Sequence, residues 1–236
     1  MGLHLLYSKH MEKFLTKKIR LRPRLQAAAD MINGSHLAAD IGCDHGRLSV
    51  ALLQQGRADR VIASDISAPS LQKATELAAL CGLGSRLTTV LSDGMAHLGP
   101  DEADAIAICG MGGELIIRII REGGEKGKKR LILQPMTGIE KVRAFLWQSG
   151  FAITDEVFPV EDGKAYCVIG AEFSGAVPDF SYADTYLGKI RPGGDGFTAW
   201  AKKICAAAKK RLRGARDAES ENNILTLISE CEKYGA

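Results

Sequence analysis

The sequence predicts an α/β fold: a mostly parallel sheet that ends in an antiparallel hairpin and is followed by a helical C-terminal part. Three observations predict it. From residue 36 to residue 150, short apolar runs of strand length alternate with amphipathic stretches of helical length. Two β-rich runs then flank Glu161-Asp162-Gly163, a hairpin signal. Beyond Phe173 the apolar residues recur at helical spacing.

The elements follow in order. LRPRLQAAADMI, residues 21–32, reads as a helix with Leu25, Ala28, Ala29 and Ile32 on one face, ended by Asn33-Gly34. HLAADIG is a short buried strand and HGRLSVALLQQG a helix. RVIASD is a second strand, and SAPSLQKATELAALCG a helix with Pro69 in its first turn. RLTTVLSD and ADAIAICG are the third and fourth strands, with GGELIIRIIREGG the next helix. KRLILQP is a fifth strand and GIEKVRAFLWQSG its helix. FAITDEVFPV and KAYCVIGAEF form the hairpin. A loop rich in Gly and Pro comes next, from Gly175 to Gly196. Residues 198–213 read as a helix with Trp200, Ile204, Ala208 and Leu212 four apart. Residues 219–233 read as another, with Ile224, Leu227, Ile228 and Cys231 on one stripe. Two such helices in succession predict a helical hairpin.

Composition narrows the class. The chain has 236 residues, 46% hydrophobic and 25% charged, which excludes a disordered or fibrous protein. No apolar run reaches the length of a membrane helix, and the first residues lack a secretory signal's apolar core and cleavage site. The six cysteines carry no CxxC-type spacing, so buried free thiols in a reducing cytoplasm are expected, with no metal site. Net charge is only +3, but it is unevenly spread. Seven basic residues lie between Lys9 and Arg24, four between Lys126 and Arg130, and seven between Lys202 and Arg216. Three basic segments on a near-neutral chain favour a polyanionic partner, nucleic acid first. The resulting division is a basic extension over 1–18, a catalytic domain over 19–175 and a helical domain over 176–236. A monomer is favoured over an oligomer.

The chemistry concentrates at strand ends, where ligands of open α/β sheets bind. Asp40-Ile41-Gly42-Cys43-Asp44-His45-Gly46 closes the first strand. Gly42 lets the backbone pass close to a ligand, and the following helix offers free N–H groups. The G-x-G-x-x-G pyrophosphate fingerprint is absent, so a ligand without pyrophosphate fits better. Asp40 suits an ammonium group, directly or through water. Asp65 ends the second strand and offers acceptor oxygens to both hydroxyls of a ribose; its other reading is a helix cap. Asp93, in Ser92-Asp93-Gly94, suits an adenine amino group or a plain turn. Gly110-Met111-Gly112-Gly113 follows the fourth strand with little side-chain bulk. Gln134-Pro135-Met136 ends the fifth, placing an amide at the same rim.

A parallel sheet closed by an antiparallel hairpin resembles the Rossmann-like class I methyltransferases that use S-adenosylmethionine. DIGCDHG, Asp65, SDG, CGMGG and LILQP, in this order and spacing, further resemble the bacterial tRNA (adenine-22-N1)-methyltransferase family. The resemblance covers about residues 19–173 and, more loosely, the helical end. It implies a cytoplasmic enzyme that methylates N1 of an adenine in the D-arm region of tRNA, with a coiled-coil-like C-terminal domain. Cofactor contacts are expected from Asp40, Gly42, Asp65, Ile66, Asp93, Gly94, Gly110, Met111 and Gly112. Asp44 and His45 are the catalytic candidates, since a carboxylate stabilises the charge that N1-methylation places on the ring. Gly113, Gln134, Pro135, Lys202, Lys209 and Arg213 are expected at the RNA. Cys43, Gly46 and Arg47 stand where the family more often has Ser, Ala and Tyr. Asp65 stands in place of Glu and keeps the ribose contact, and Met136 in place of Asn. The alternatives are a methyltransferase of this class acting on another RNA, a small molecule or a protein, and a non-catalytic RNA-binding protein.

Overall fold

The computed structural model describes residues 18–215 and 217–236. The expected basic extension, apart from Lys18, and Arg216 lie outside the described residues. Eight helices and nine strands are formed among the described residues: α1 (Pro23–Met31), β1 (Ser35–Ile41), α2 (Arg47–Gln54), β2 (Ala58–Asp65), α3 (Ala68–Leu80), β3 (Leu87–Leu91), β4 (Ala105–Gly112), α4 (Gly113–Gly123), β5 (Arg130–Thr137), α5 (Ile139–Gln148), β6 (Phe151–Val157), β7 (Val160–Glu161), β8 (Lys164–Ala165), β9 (Val168–Phe173), α6 (Tyr182–Leu187), α7 (Gly194–Leu212) and α8 (Ala218–Glu232).

The main sheet has seven strands in the order β3-β2-β1-β4-β5-β9-β6. β1 pairs in parallel with β2 and β4, and β2 with β3. β6 and β9 pair antiparallel, with a register shift between Ile153 and Asp155. The expected hairpin is therefore present, with an addition. Asp162 (φ 49°) and Gly163 (φ 71°) make a two-residue turn that joins β7 to β8 as a small separate ribbon. The strand order reverses at β1, where β2 lies on one side and β4 on the other, and ligands of such sheets bind outside the carboxyl ends at that point.

The chain divides into two compact units, one running to Cys109 with Arg118–Ile132, the other comprising Gly110–Ile117 with Leu133–Ala236. In the first, β1 and β2 are largely buried along their carboxyl halves, and α2 buries every residue from Leu48 to Leu53. A helix this apolar needs cover all round. Gly46 makes the closeness of that cover possible: at φ 68°, a Cβ there would meet the Ala74 Cβ at 2.5 Å. Val50, Ala51, Ala78 and Cys81 pack with Ile19 under partly buried Leu77, Leu83 and Leu87.

In the second unit, α7 and α8 bury the expected stripes. Trp200, Ile204 and Ala208 are buried on one, with Leu212 only partly so, and Ile224, Leu227, Ile228 and Cys231 on the other. α7 begins earlier than its periodicity predicts, at Gly194, because Phe197 also turns inward and meets Phe158 with ring centroids 5.0 Å apart. The Gly/Pro-rich stretch holds a helix that the sequence reading leaves as loop. α6 is set by a capping box: the Ser181 hydroxyl accepts from the Asp184 N–H while the Asp184 carboxylate accepts from the Ser181 N–H.

One polar cluster organises this unit. Arg143 of α5 and Glu156 of β6 have no exposed side-chain surface and meet at 2.7 Å. The guanidinium also donates to the carbonyls of Thr185 and Tyr186, both at 2.8 Å, and to Cys167 Sγ at 3.2 Å. These bonds tie residues 185 and 186 to the helix and strand of the hairpin region, across the expected domain boundary at 175. Burial raises the Glu156 pKa, opposed by the attached guanidinium. Removing one partner from such a pair leaves a buried charge unmatched. Arg143→Met is therefore expected to lower unfolding free energy by about 3–5 kcal/mol in urea titrations, and the double change with Glu156→Leu to recover part of that loss. A single change that leaves the midpoint unmoved would show that the cluster is not a stability element.

Candidate active site

In the first unit the carboxyl ends of three adjacent parallel strands each carry a carboxylate, as the sequence reading expects. Asp65, ending β2, is the hub. Its Oδ2 accepts the Asp44 N–H at 3.0 Å, and its Oδ1 accepts the Ser67 N–H at 2.9 Å. The loop after β1 is thus fastened to the turn after β2. The helix-cap role goes instead to Ser67, whose hydroxyl accepts from the Ser70 N–H. Asp65 keeps further lone pairs, since a carboxylate accepts about four hydrogen bonds. Directly after it, Ile66 is 75% exposed, and Leu91 at the end of β3 is 62% exposed. Large apolar side chains standing in water beside a ribose-type acceptor supply a surface for a flat aromatic group.

Asp40 is the most buried of the three carboxylates. It lies inside, 2% exposed, and accepts a 2.5 Å bond from the Ser49 hydroxyl of α2. A small polar residue within an otherwise apolar helix is the sequence signal for that partner. Burial raises the Asp40 pKa to about 6, opposed by the Ser49 bonds and assisted by the negative charge of Asp65. Cys43, in the same loop, is buried and its thiol is pushed up by burial first and by Asp40 next.

Asp44 stands with φ 51°, a left-handed conformation that Asp tolerates better than most residues. Its side chain is 77% exposed, and its Oδ1 lies 3.4 Å from His45 Nε2. The Lys73 ammonium is 3.2 Å from the same nitrogen. The tautomer of His45 decides which of the two neighbours Nε2 serves. Gly42 and Gly46 both adopt positive φ around this pair.

Asp93, after β3, has a partner that sequence reasoning does not single out. Arg118 of α4 meets it in a two-pronged contact, Nη2 to Oδ1 at 3.0 Å and Nη1 to Oδ2 at 3.2 Å. The hydrogen bonds and then the charge of Arg118 hold the Asp93 carboxyl below its ordinary range. Gly94 follows it at φ 57°.

The remaining expected residues lie in the second unit. Gly110 is exposed at φ 79°, and Met111 and Gly112 are partly exposed. What approaches Gly113 is protein: a Cβ there would meet the Gly138 carbonyl oxygen at 2.6 Å and that of Thr137 at 2.8 Å. Gln134, expected to present an amide at the rim, is fully buried and donates to the Pro135 carbonyl at 3.1 Å. Pro135 is buried as well, and Met136 is the exposed residue, at 40%. Strand β5 continues two residues past Pro135, which is why the amide is covered. On α7, Lys202 is exposed and Arg213 is exposed at its end, whereas Lys209 pairs with Glu232 of α8 at 3.1 Å. Among the described residues no cluster of His, Cys, Asp and Glu is arranged to hold a metal, and no helix is long and apolar enough to cross a membrane.

The buried Asp40 has a pH signature. Its carboxyl binds a proton more tightly folded than unfolded, so folding takes up a proton between about pH 4 and pH 6. Stability therefore falls as pH rises through that window. Asp40→Asn, which keeps an acceptor for Ser49, removes the fall. The two stability curves, measured by urea unfolding, are expected to diverge by about 3 kcal/mol across the window. Parallel curves would show that Asp40 does not titrate there.

The description "Methyltransferase domain" belongs to the family model that matches residues 21–169. A curated tRNA (adenine(22)-N(1))-methyltransferase of Bacillus subtilis is 38% identical over 157 residues, 66% of this chain and 66% of that protein, so the match spans just under two thirds of the relative. The crystal structure of the B. subtilis M1A22 tRNA methyltransferase TrmK superposes with a TM-score of 0.76 at 29% identity, covering 92% of this chain and 98% of that one. Streptococcus pneumoniae Sp1610, solved in complex with S-adenosyl-L-methionine, gives 0.75 at 28% identity over 91% of this chain and 99% of that one. With its mixed, mostly parallel sheet, its three strand-end carboxylates and a family match running from α1 into β9, this chain belongs to the methyltransferase-domain family.

Proposed function

We propose that the chain is an S-adenosylmethionine-dependent methyltransferase that acts on N1 of adenine 22 in tRNA. The observation that carries this reading is the set of Asp40, Asp65 and Asp93 at successive strand ends, in a chain 38% identical to the B. subtilis enzyme. The donor set suits a nucleoside with a cationic tail. Asp65 accepts from the ribose hydroxyls, and Ile66 and Leu91 offer apolar surface to the adenine. Asp93 and Gly94 stand at its amino edge, with Arg118 holding the carboxylate in place. Asp40 is too deep for direct contact, so it acts through water and through its charge. Gly42 leaves backbone accessible to the ligand.

S-adenosylmethionine, when bound, supplies an already activated methyl group. The task left to the protein is positioning and charge stabilisation. The adenine must arrive unpaired, since N1 is engaged in a duplex. Methylation makes the ring cationic, and the exposed Asp44 carboxylate stabilises that charge or takes a proton from N6. His45, beside it, orients Asp44. The exposed Lys202 and Arg213 meet RNA phosphates, a sequence-independent and salt-sensitive contribution.

Incubation with unmodified tRNA and labelled methyl donor, followed by nucleoside analysis, is expected to yield N1-methyladenosine, and Asp44→Ala is expected to lower kcat by more than it lowers cofactor affinity. Another methylated product, or transfer to small molecules alone, would overturn the substrate. Equal losses in both constants would make Asp44 a binding residue.

A further inference from the structure

Helix α7 and the end of β5 line a cleft to which, of the residues expected at the RNA, Pro135 contributes. Residues 135–139 form one side, and Tyr166, Trp200 and Lys203 the other, around a volume of about 140 Å³. The Lys203 ammonium lies 4.8 Å from the Trp200 ring centroid and 5.5 Å from that of Tyr166. It donates to the Ala165 carbonyl at 2.8 Å, which leaves two of its three N–H donors. Partial burial draws its pKa below the ordinary lysine range. Trp200 is only 4% exposed and its indole N–H is committed to the Tyr186 carbonyl at 3.0 Å, so it forms a fixed floor. Tyr166 is partly exposed, and Met136 and Thr137 stand open at the opposite lip.

An aromatic ring beside a held cation, in a cleft the size of one heterocycle, has the recognition chemistry of an unstacked nucleobase. We propose that this cleft receives one unpaired base of the RNA substrate, stacked on Tyr166 with Lys203 donating to its edge, an inference that rests on the tRNA reading above. Lys202 and Lys210, exposed on the same helix, supply charge for the phosphate chain that leads to it.

Binding of unmodified tRNA to the full chain tests this, with S-adenosylmethionine titration and thermal unfolding as controls. Tyr166→Leu is expected to weaken tRNA binding about tenfold, with an unchanged salt slope because no charge is lost. Tyr166→Phe keeps the ring and is expected to bind like the unaltered protein. Lys203→Gln, on an exposed position of the helix, is expected to weaken binding without moving the cofactor affinity. Unaltered tRNA affinity in both Tyr166→Leu and Lys203→Gln overturns the cleft while leaving the methyltransferase reading intact. An unaltered chain that neither binds nor methylates tRNA overturns the substrate reading and this occupant together, and that outcome is recognised before any variant is made.

Discussion

The carboxylate of Asp65 is the point on which the site depends. Its two oxygens hold the N–H groups of Asp44 and Ser67, so one side chain joins the loop after β1 to the turn after β2. Without that bond the left-handed Asp44 has no anchor, and the Asp44–His45 pair loses its place at the rim. Ile66, directly after it in the chain, is exposed. Because strand ends are fixed by the ladder behind them, the geometry is present before any ligand arrives, which is where binding free energy is best conserved.

Buried charge is used differently in the two units. Asp40 is held inside by the hydroxyl and backbone of Ser49 with no cationic partner among the described residues, and burial raises its pKa to about 6, so its charge responds near neutrality. Arg143 and Glu156 are held by each other and by backbone carbonyls, an arrangement that fixes one packing of residues 185 and 186 against the hairpin region. Asp93 and Arg118 pair in water, so their contact orients the carboxylate more than it stabilises the fold.

Much of this was legible in the sequence. Alternating strand and helix lengths gave the sheet, because burial against helices leaves apolar runs. Asp65 and Asp93 are legible at strand ends because polarity returns where the ladder stops, whereas Asp40 is an acid within a buried run. The stripes of α7 and α8 were readable from their period. The missed features are those decided by a distant partner. Ser49, Arg118 and Glu156 are ordinary in their local context and gain meaning only when topology brings Asp40, Asp93 and Arg143 to them. Gln134 sits at the end of an apolar run, and its burial depends on how far β5 continues. Lys209 belongs to a basic run, yet Glu232 neutralises it once α8 folds back. α6 was hidden by glycines and prolines on either side, although Ser181 and Asp184 carry its capping signal.

Calorimetric titration of S-adenosylmethionine into the unaltered chain and into Asp65→Ala tests the central claim most directly. The account predicts saturable binding to the first and a loss of about tenfold or more in the second, the scale of hydrogen bonds to a charged group, with the fold retained. Equal affinity in a folded Asp65→Ala protein would contradict it, because the carboxylate would then hold only its own loop.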